Sequence, residues 1–504
     1  MEQLSKSTAT GVGITGRYWG VSWPLIVGAL IYLVFLVHGN YLLGDADTYW
    51  HLAAGSWILE HGTIPVSDPF SHSMRGAPWT AHEWLSEVIF AAAYATGGWT
   101  GLIALTALAF AGALAILTRF LLKEMEPVHA LMFVAFAVML PLTHLVARPH
   151  VLAMPLMVLW TAHLVRASEH GHAPSLWLLP VMTLWANLHG SFTLGLGLTL
   201  FFLVEGVLNA RLQNKTMTAA KSWLAFAGLA FLSALATPHG LKGILFTLHI
   251  FGGSYALDQI AEWRSPNFHF FQPLEVWLFV GLAAVLFQGL RLPLMRIALL
   301  LGFLHLGLTH NRNIELLGLL TPLFLAAPLA GQWRERQATV HQLATMDHFF
   351  QALAQRASKG ATVLVVSGLV AATVLATQLG ELQPDKGITP TDAIQAARKA
   401  NLTGPVLNEY SFGGYLIYSG ISPFIDGRAD MYGDDFLKQY IEAMSLEAPD
   451  GLLLVLKKYH IQWTLLPPNM PAVALLDHLP EWRRLYADKI AVVHIKKSPS
   501  PQLP

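Results

Sequence analysis

The stretch "GDADTYWHLAAGSWILEHG", Gly44 to Gly62, follows directly on the first long apolar run and sets Asp45 and Asp47 just ahead of Trp50 and His51. Carboxylates so placed have two uses. They cap a helix that begins at Thr48, since Asp is a preferred cap residue, or they take a proton or hold a cation in a catalytic site. A cap position also fixes a carboxylate in space, so the two uses are compatible. Further along the same loop come Asp68, His82, Glu83 and Glu87.

Other chemically capable groups sit in short turns between apolar runs and in the long loop after the seventh run, which holds "TPHG" and "AEWRSP". "ARPH" carries Arg148 and His150, "ANLHGS" carries Asn187 and His189, and "TPHG" carries His239. "AEWRSP" carries Glu262 and Arg264, and "THNRN" carries His310, Asn311, Arg312 and Asn313. Each has an ordinary structural use. A turn histidine bonds loop carbonyls, a guanidinium snorkels to an interface, and Trp and Tyr form an interfacial belt. Together, carboxylate, imidazole and guanidinium groups on one face predict a shared polar cavity, because such groups are costly near lipid and usually functional there.

The elements that would position them are membrane spans. Of 504 residues, 54% are hydrophobic and only 12% charged, against about a quarter charged in soluble domains. Formal net charge is zero, with no basic tail, which speaks against nucleic acid as a partner. The absence of cysteine excludes disulfides, thiolate metal sites and a thiol nucleophile. Eleven runs approach spanning length, beginning at about Val21, Trp99, His129, Val151, Leu176, Phe192, Trp223, Leu274, Leu292, Ile314 and Ala361. Trp84–Thr96 is apolar but short and reads as an interfacial helix. No small-residue cleavage site follows the first run, so it is expected to remain as a span.

With a cytoplasmic N-terminus, fourteen Lys and Arg residues fall in inside loops, among them Lys6, Arg17, Lys215 and Arg296, and five fall outside. That bias sets the orientation. The opening stretch is then extracytoplasmic, in a multi-pass inner (cytoplasmic) membrane protein. Residues 1–380 are expected to form the transmembrane domain, with its first outer loop at 44–98. Residues 381–504 are expected to form a small extracytoplasmic α/β domain. Within the latter, "GPVLNEY", "SPFIDGR", "IQWTLLP" and "IAVVHIKK" read as strands, and "DDFLKQYIEAMS" and "GLLLVLKKYH" as helices. Thr389, Pro390 and Asn401 mark the ends of a further helix. In the inside loop 332–359, Asp347 is placed to cap an amphipathic helix.

On these motifs the chain resembles the GT-C class of polytopic membrane glycosyltransferases. That class includes the oligosaccharyltransferase catalytic subunit, protein O-mannosyltransferases and bacterial aminoarabinose transferases. "GDADTYWH" and "WILEHG" look like its acidic motif and flat first-loop helix. "DPFSHSMRGAPWTAHEW" and "VLNEYSFGGYLIY…FIDGRADMYG" look like the loop and outer domain of uncharacterised bacterial members. The likeness has gaps. The turn that carries a second acidic pair in oligosaccharyltransferases is "ARPH" here, and "NEYSFGGY" lacks their paired tryptophans.

The resemblance implies sugar transfer from a polyprenyl-phosphate carrier to a lipid, glycan or protein acceptor on the extracytoplasmic side. It makes Asp47 the first choice for the base, then Asp45 and Glu83. Arg148, Arg264, Arg312 and His189 are candidates to bind phosphate. His51, His150, Asn187, His239, Glu262 and His310 complete the expected substrate site. A divalent cation, Mg or Mn, held by Asp45 and Asp47 is the one cofactor in view. Two other classes keep the architecture: a secondary transporter, and a non-catalytic assembly protein for surface polysaccharide.

Overall fold

The computed structural model describes residues 20–211, 216–251, 260–337, 344–380, 382–385 and 387–497. Lys6, Arg17 and Lys215 lie outside the described residues, as does part of the 332–359 loop. Helices α1 (Trp23–Val37) to α4 (Pro127–Met139) enclose α2 (Asp47–His61) and α3 (Trp84–Glu124). Helices α5 (Pro149–Glu169), α6 (Leu179–Leu188), α7 (Phe192–Arg211), α8 (Thr216–Ala234) and α9 (Gly240–Phe251) follow. Then come α10 (Pro273–Gln288), α11 (Leu294–Thr309), α12 (Ile314–Gln337), α13 (Ala344–Ala354) and α14 (Lys359–Leu379).

Six of these, α3, α5, α7, α8, α12 and α14, are long and apolar enough to cross a membrane, and five shorter apolar helices accompany them. They coincide with the eleven predicted runs, and the protein is a polytopic membrane protein. Proline in the first turn starts α1, α4, α5 and α10, where its missing N–H is no loss. The core is one apolar cluster centred on α3, α5 and α12, including Phe110, Leu117, Trp160 and Phe324.

Some sequence readings hold and others need correction. The short helix predicted at Trp84–Thr96 and the next span are the two pieces of α3, parted by a break at Gly98 (φ 57°, ψ −147°). That backbone conformation is open to glycine and strained for other residues. Asp347, read as a cap, lies within α13 as it runs from Ala344. Arg296 is not a loop residue. It is buried in α11 with its Nε 2.7 Å from Glu205 Oε1 on α7, and Ser168 Oγ donates to the other Glu205 oxygen at 2.7 Å. The helices therefore carry a buried ion pair between Arg296 and Glu205 that the sequence reading did not foresee.

The C-terminal part holds α15 (Thr391–Lys399), β1 (Val406–Asn408), α16 (Gly413–Tyr418), α17 (Ala429–Tyr432), α18 (Asp434–Ser445) and α19 (Gly451–Lys458). It continues with β2 (Trp463–Leu466), α20 (Pro471–His478), β3 (Trp482–Ala487) and β4 (Val492–Lys496). The sheet order is β1-β2-β4-β3, with β1 and β2 parallel and the rest antiparallel. Leu407, Leu466 and Val492 pack toward α18, α19 and α20, and Val406, Trp463 and Val493 toward α15. The helix at 391–399 starts one residue later than predicted and exits through Asn401 at φ 50°. The fold is that of a helical membrane protein with a small C-terminal α/β sheet.

"SPFIDGR" forms no strand, because its backbone groups are satisfied by side chains and by the first loop. Asn408 accepts from Phe424 N and donates to Ile425 O. Ser73 Oγ donates to Phe424 O, and His72 N donates to Pro423 O. Conversely, β3 went unpredicted: its middle residues Arg483 and Arg484 are exposed, so it lacks an apolar signature.

Candidate active site

The site is assembled by turns that the spans hold at one end of the bundle. Pro149 opens α5 and pushes Arg148 into an extended conformation, as expected of a residue before proline. Ala147 N donates to Leu42 O, and Thr48 Oγ1 donates to Ala147 O. These two bonds lock the "ARPH" turn against the start of α2. Helix α2 begins at Asp47 with Ala46, not either aspartate, at its N-cap position, and Asp47 N–H donates to Asp45 Oδ1 at 2.7 Å. A second clasp joins two distant segments: Asn311 N donates to Arg264 O, and His310 Nδ1 lies 2.6 Å from Trp263 O. It delivers Glu262 and Arg312 to the same place.

Arg148 is the hub. Its Nη2 lies 2.6 Å from Asp47 Oδ2, and its Nη1 lies 2.7 Å from Glu262 Oε2 and 3.5 Å from Asp45 Oδ2. Arg312 Nη1 is 3.5 Å from the other Glu262 oxygen, and its guanidinium stands 4.6 Å over the Trp263 ring. The group is sheltered rather than sealed, with Asp47 18% and Arg312 31% exposed. Burial pushes the Asp47 carboxyl up to about 7; Arg148 pulls against the rise, and Asp45 and Glu262 add to it. Glu262 goes the other way. Burial alone would raise it, but Arg148 and Arg312 outweigh burial and hold it down at about 2. One carboxylate thus stays charged while its neighbour is poised near neutrality.

Beside the hub lies an imidazole–carboxylate group. His189 Nε2 is 3.3 Å and His82 Nε2 3.8 Å from Glu83 Oε1. His150 Nε2 is 3.7 Å from Glu315 Oε2, and the His150 and His189 rings are 6.3 Å apart. His51 Nδ1 lies 3.4 Å from Glu87 Oε1 in a fully buried pair. Burial raises Glu83 and lowers His189 and His51, so this side of the site favours uncharged forms.

Some predicted residues hold the surrounding backbone. Asn187 accepts from Trp84 Nε1 and donates to Thr183 O and Ala236 O. His239 Nε2 lies 3.0 Å from Ala81 O. Both brace the loop that carries His82 and Glu83. Arg264 is exposed, and its part in the clasp is its backbone carbonyl.

The main residues missed at the sequence level come from the C-terminal part. Gly427 lies directly on Asp47: an added methyl would overlap Asp47 Oδ1 and crowd the Trp50 indole. Tyr410 Oη donates to Gly427 O at 3.1 Å. The segment is held by Arg428, whose side chain is 0% exposed. Its Nε and Nη2 fork onto Asp426 at 2.8 and 2.7 Å, and its Nη1 reaches Asp68 Oδ1 at 2.7 Å. Tyr432 Oη donates to Asp426 at 2.7 Å, and Phe70 and Trp79 flank the guanidinium. Asp430 follows, with His82 and Glu83 among its titratable neighbours. The first loop and the C-terminal part are thus clamped together over Asp47. Tyr49 against Tyr415 and Tyr418, and Tyr94 Oη 2.7 Å from Tyr418 Oη, extend the seam.

The carboxylates do not fit the expected divalent cation. Among the described residues no group of three or more His, Asp or Glu is arranged to hold a metal. Asp45, Asp47 and Glu262 converge, but on the Arg148 guanidinium, which stands where a cation would.

No family model matches the sequence, and no curated protein matches it. Solved structures do. The oligosaccharyltransferase of Archaeoglobus fulgidus in its apo form aligns at a TM-score of 0.56 with 12% identity, covering 89% of this chain and 69% of that one. The oligosaccharyltransferase AglB of the same organism, with an inhibitory peptide and a dolichol-phosphate, aligns at 0.53 with 12% identity, covering 88% and 69%. ArnT from Cupriavidus metallidurans bound to undecaprenyl phosphate covers 92% and 97% at 12% identity and a TM-score of 0.46. At these identities the likeness is one of fold, and the fold is shared with the archaeal oligosaccharyltransferases.

Proposed function

We propose that the protein is a glycosyltransferase that moves a sugar from a polyprenyl-phosphate carrier to an acceptor hydroxyl, on the extracytoplasmic side of the membrane. The observation that carries this reading is the Asp47–Arg148–Glu262–Arg312 group: a carboxylate poised near neutrality beside two guanidiniums, at one end of an apolar bundle. The fold supports it, because AglB, which shares that fold, was solved with a dolichol-phosphate.

Asp47 takes the proton of the acceptor hydroxyl as its oxygen bonds to the anomeric carbon. The bond from that carbon to the carrier phosphate breaks, and its electron pair leaves on phosphate. A base near its working pH is the efficient choice for the first event. Arg312 is the better placed of the two guanidiniums to receive the phosphate, since Arg148 already serves three carboxylates. Asp45 orients Asp47 through its backbone N–H, and Glu83 with His189 offers uncharged hydrogen-bonding groups for the sugar or acceptor. The first loop and C-terminal part close over the reacting atoms and exclude water.

Mass spectrometry of polyprenyl-phosphate sugars and surface glycans in a deletion strain tests the assignment. The expected result is accumulation of one carrier-linked sugar with loss of one glycan, which would name both substrates. Unchanged carrier and glycan profiles would overturn it.

A further inference from the structure

We infer that Arg148 is a built-in cation, and that its guanidinium takes the place of a divalent metal among Asp45, Asp47 and Glu262. Three observations support the inference. First, the contacts are those of a guanidinium fork. Two different nitrogens reach Asp47 at 2.6 Å and Glu262 at 2.7 Å, and Asp45 lies at 3.5 Å. Magnesium instead draws its oxygens in to about 2.0–2.1 Å in a near-ideal octahedron. A metal among these carboxylates would therefore have to displace Arg148 from all three.

Second, the charge is largely compensated. Three carboxylates face Arg148 and Arg312, and Glu262 bridges the two guanidiniums. The surplus is a single negative charge, which offers a dication little attraction. Third, Arg148 is held in place from both sides. Pro149 fixes its backbone, and Ala147 is bonded to Leu42 and Thr48.

For what the charge accomplishes, the inference rests on the glycosyl-transfer reading. Arg148 faces the site with fixed positive charge beside Asp47. The pairing itself does not depend on that reading, and it is tested without any sugar.

The experiment is Mn(II) binding to the detergent-purified full chain near neutral pH, followed by electron paramagnetic resonance. Wild type is expected to take up no Mn(II) that Asp47→Asn abolishes. Arg148→Ala removes the resident charge and leaves three carboxylates. It is expected to bind Mn(II) on the order of a hundredfold more tightly than wild type, and to lose that gain when Asp45→Asn is added. A stoichiometric Mn(II) site in wild type that disappears in Asp47→Asn would overturn the inference, and this comparison stands even where Arg148→Ala does not fold. A folded Arg148→Ala that binds no better than wild type would overturn it as well. Loss of the transfer reading would leave these results untouched, so the two failures are distinguishable.

Discussion

Asp47→Asn is expected to slow transfer by ~10²–10⁴-fold, the range a positioned general base supplies, with the thermal melt and gel-filtration profile of wild type. Asparagine keeps the size of the side chain and can still meet Arg148 through its carbonyl, but it cannot accept the acceptor's proton. The wild-type rate should also depend on pH. The base works ionised, and burial places its carboxyl at about 7. The rate should therefore rise with pH through about 7 and fall roughly tenfold per unit below it. Initial rates of purified protein across pH give both results. A folded Asp47→Asn with wild-type rates would remove Asp47 from the chemistry.

The second large effect concerns the clamp. Arg428→Met leaves the carboxylates of Asp68 and Asp426, both 0% exposed, buried with no counter-charge. Breaking a buried pair in this way costs about 3–5 kcal/mol, and the thermal melt should show it directly. A triple variant, Asp68→Asn, Asp426→Asn and Arg428→Met, removes the charges together and should recover much of that loss. Arg428→Met with an unchanged melt would mean that the first loop and C-terminal part are joined by their apolar seam alone. Because Gly427 directly precedes Arg428 and lies on Asp47, loosening the clamp should also lower the transfer rate.

Much of this arrangement was legible in the sequence. The spans announce themselves by hydropathy, and Arg148, Glu262 and Arg312 stand out as charged residues gathered with other ionisable groups in the connections between apolar runs. Asp47 was visible for its position after the first span. The clamp was not, for a physical reason: Arg428 meets Asp68 across 360 residues, and "SPFIDGR" has the apolar content of a strand. Its backbone is satisfied instead by Asn408, His72 and Ser73, a pairing that no local pattern encodes. Asn187 and His239 looked like ligand-facing groups because their partners are backbone carbonyls of Thr183, Ala236 and Ala81, which any residue possesses. Arg296 reads as a loop cation until α7 brings Glu205 to it. Packing between distant elements decides each of these cases.

The central claim is tested most directly by turnover of the carrier itself. Purified protein in lipid vesicles is supplied with the sugar-linked polyprenyl phosphate that accumulates in the deletion strain, together with the acceptor fraction from the same cells. Wild type is expected to release free polyprenyl phosphate as the sugar appears on the acceptor. Folded wild-type protein that leaves the carrier intact would contradict the account, whatever the geometry around Asp47.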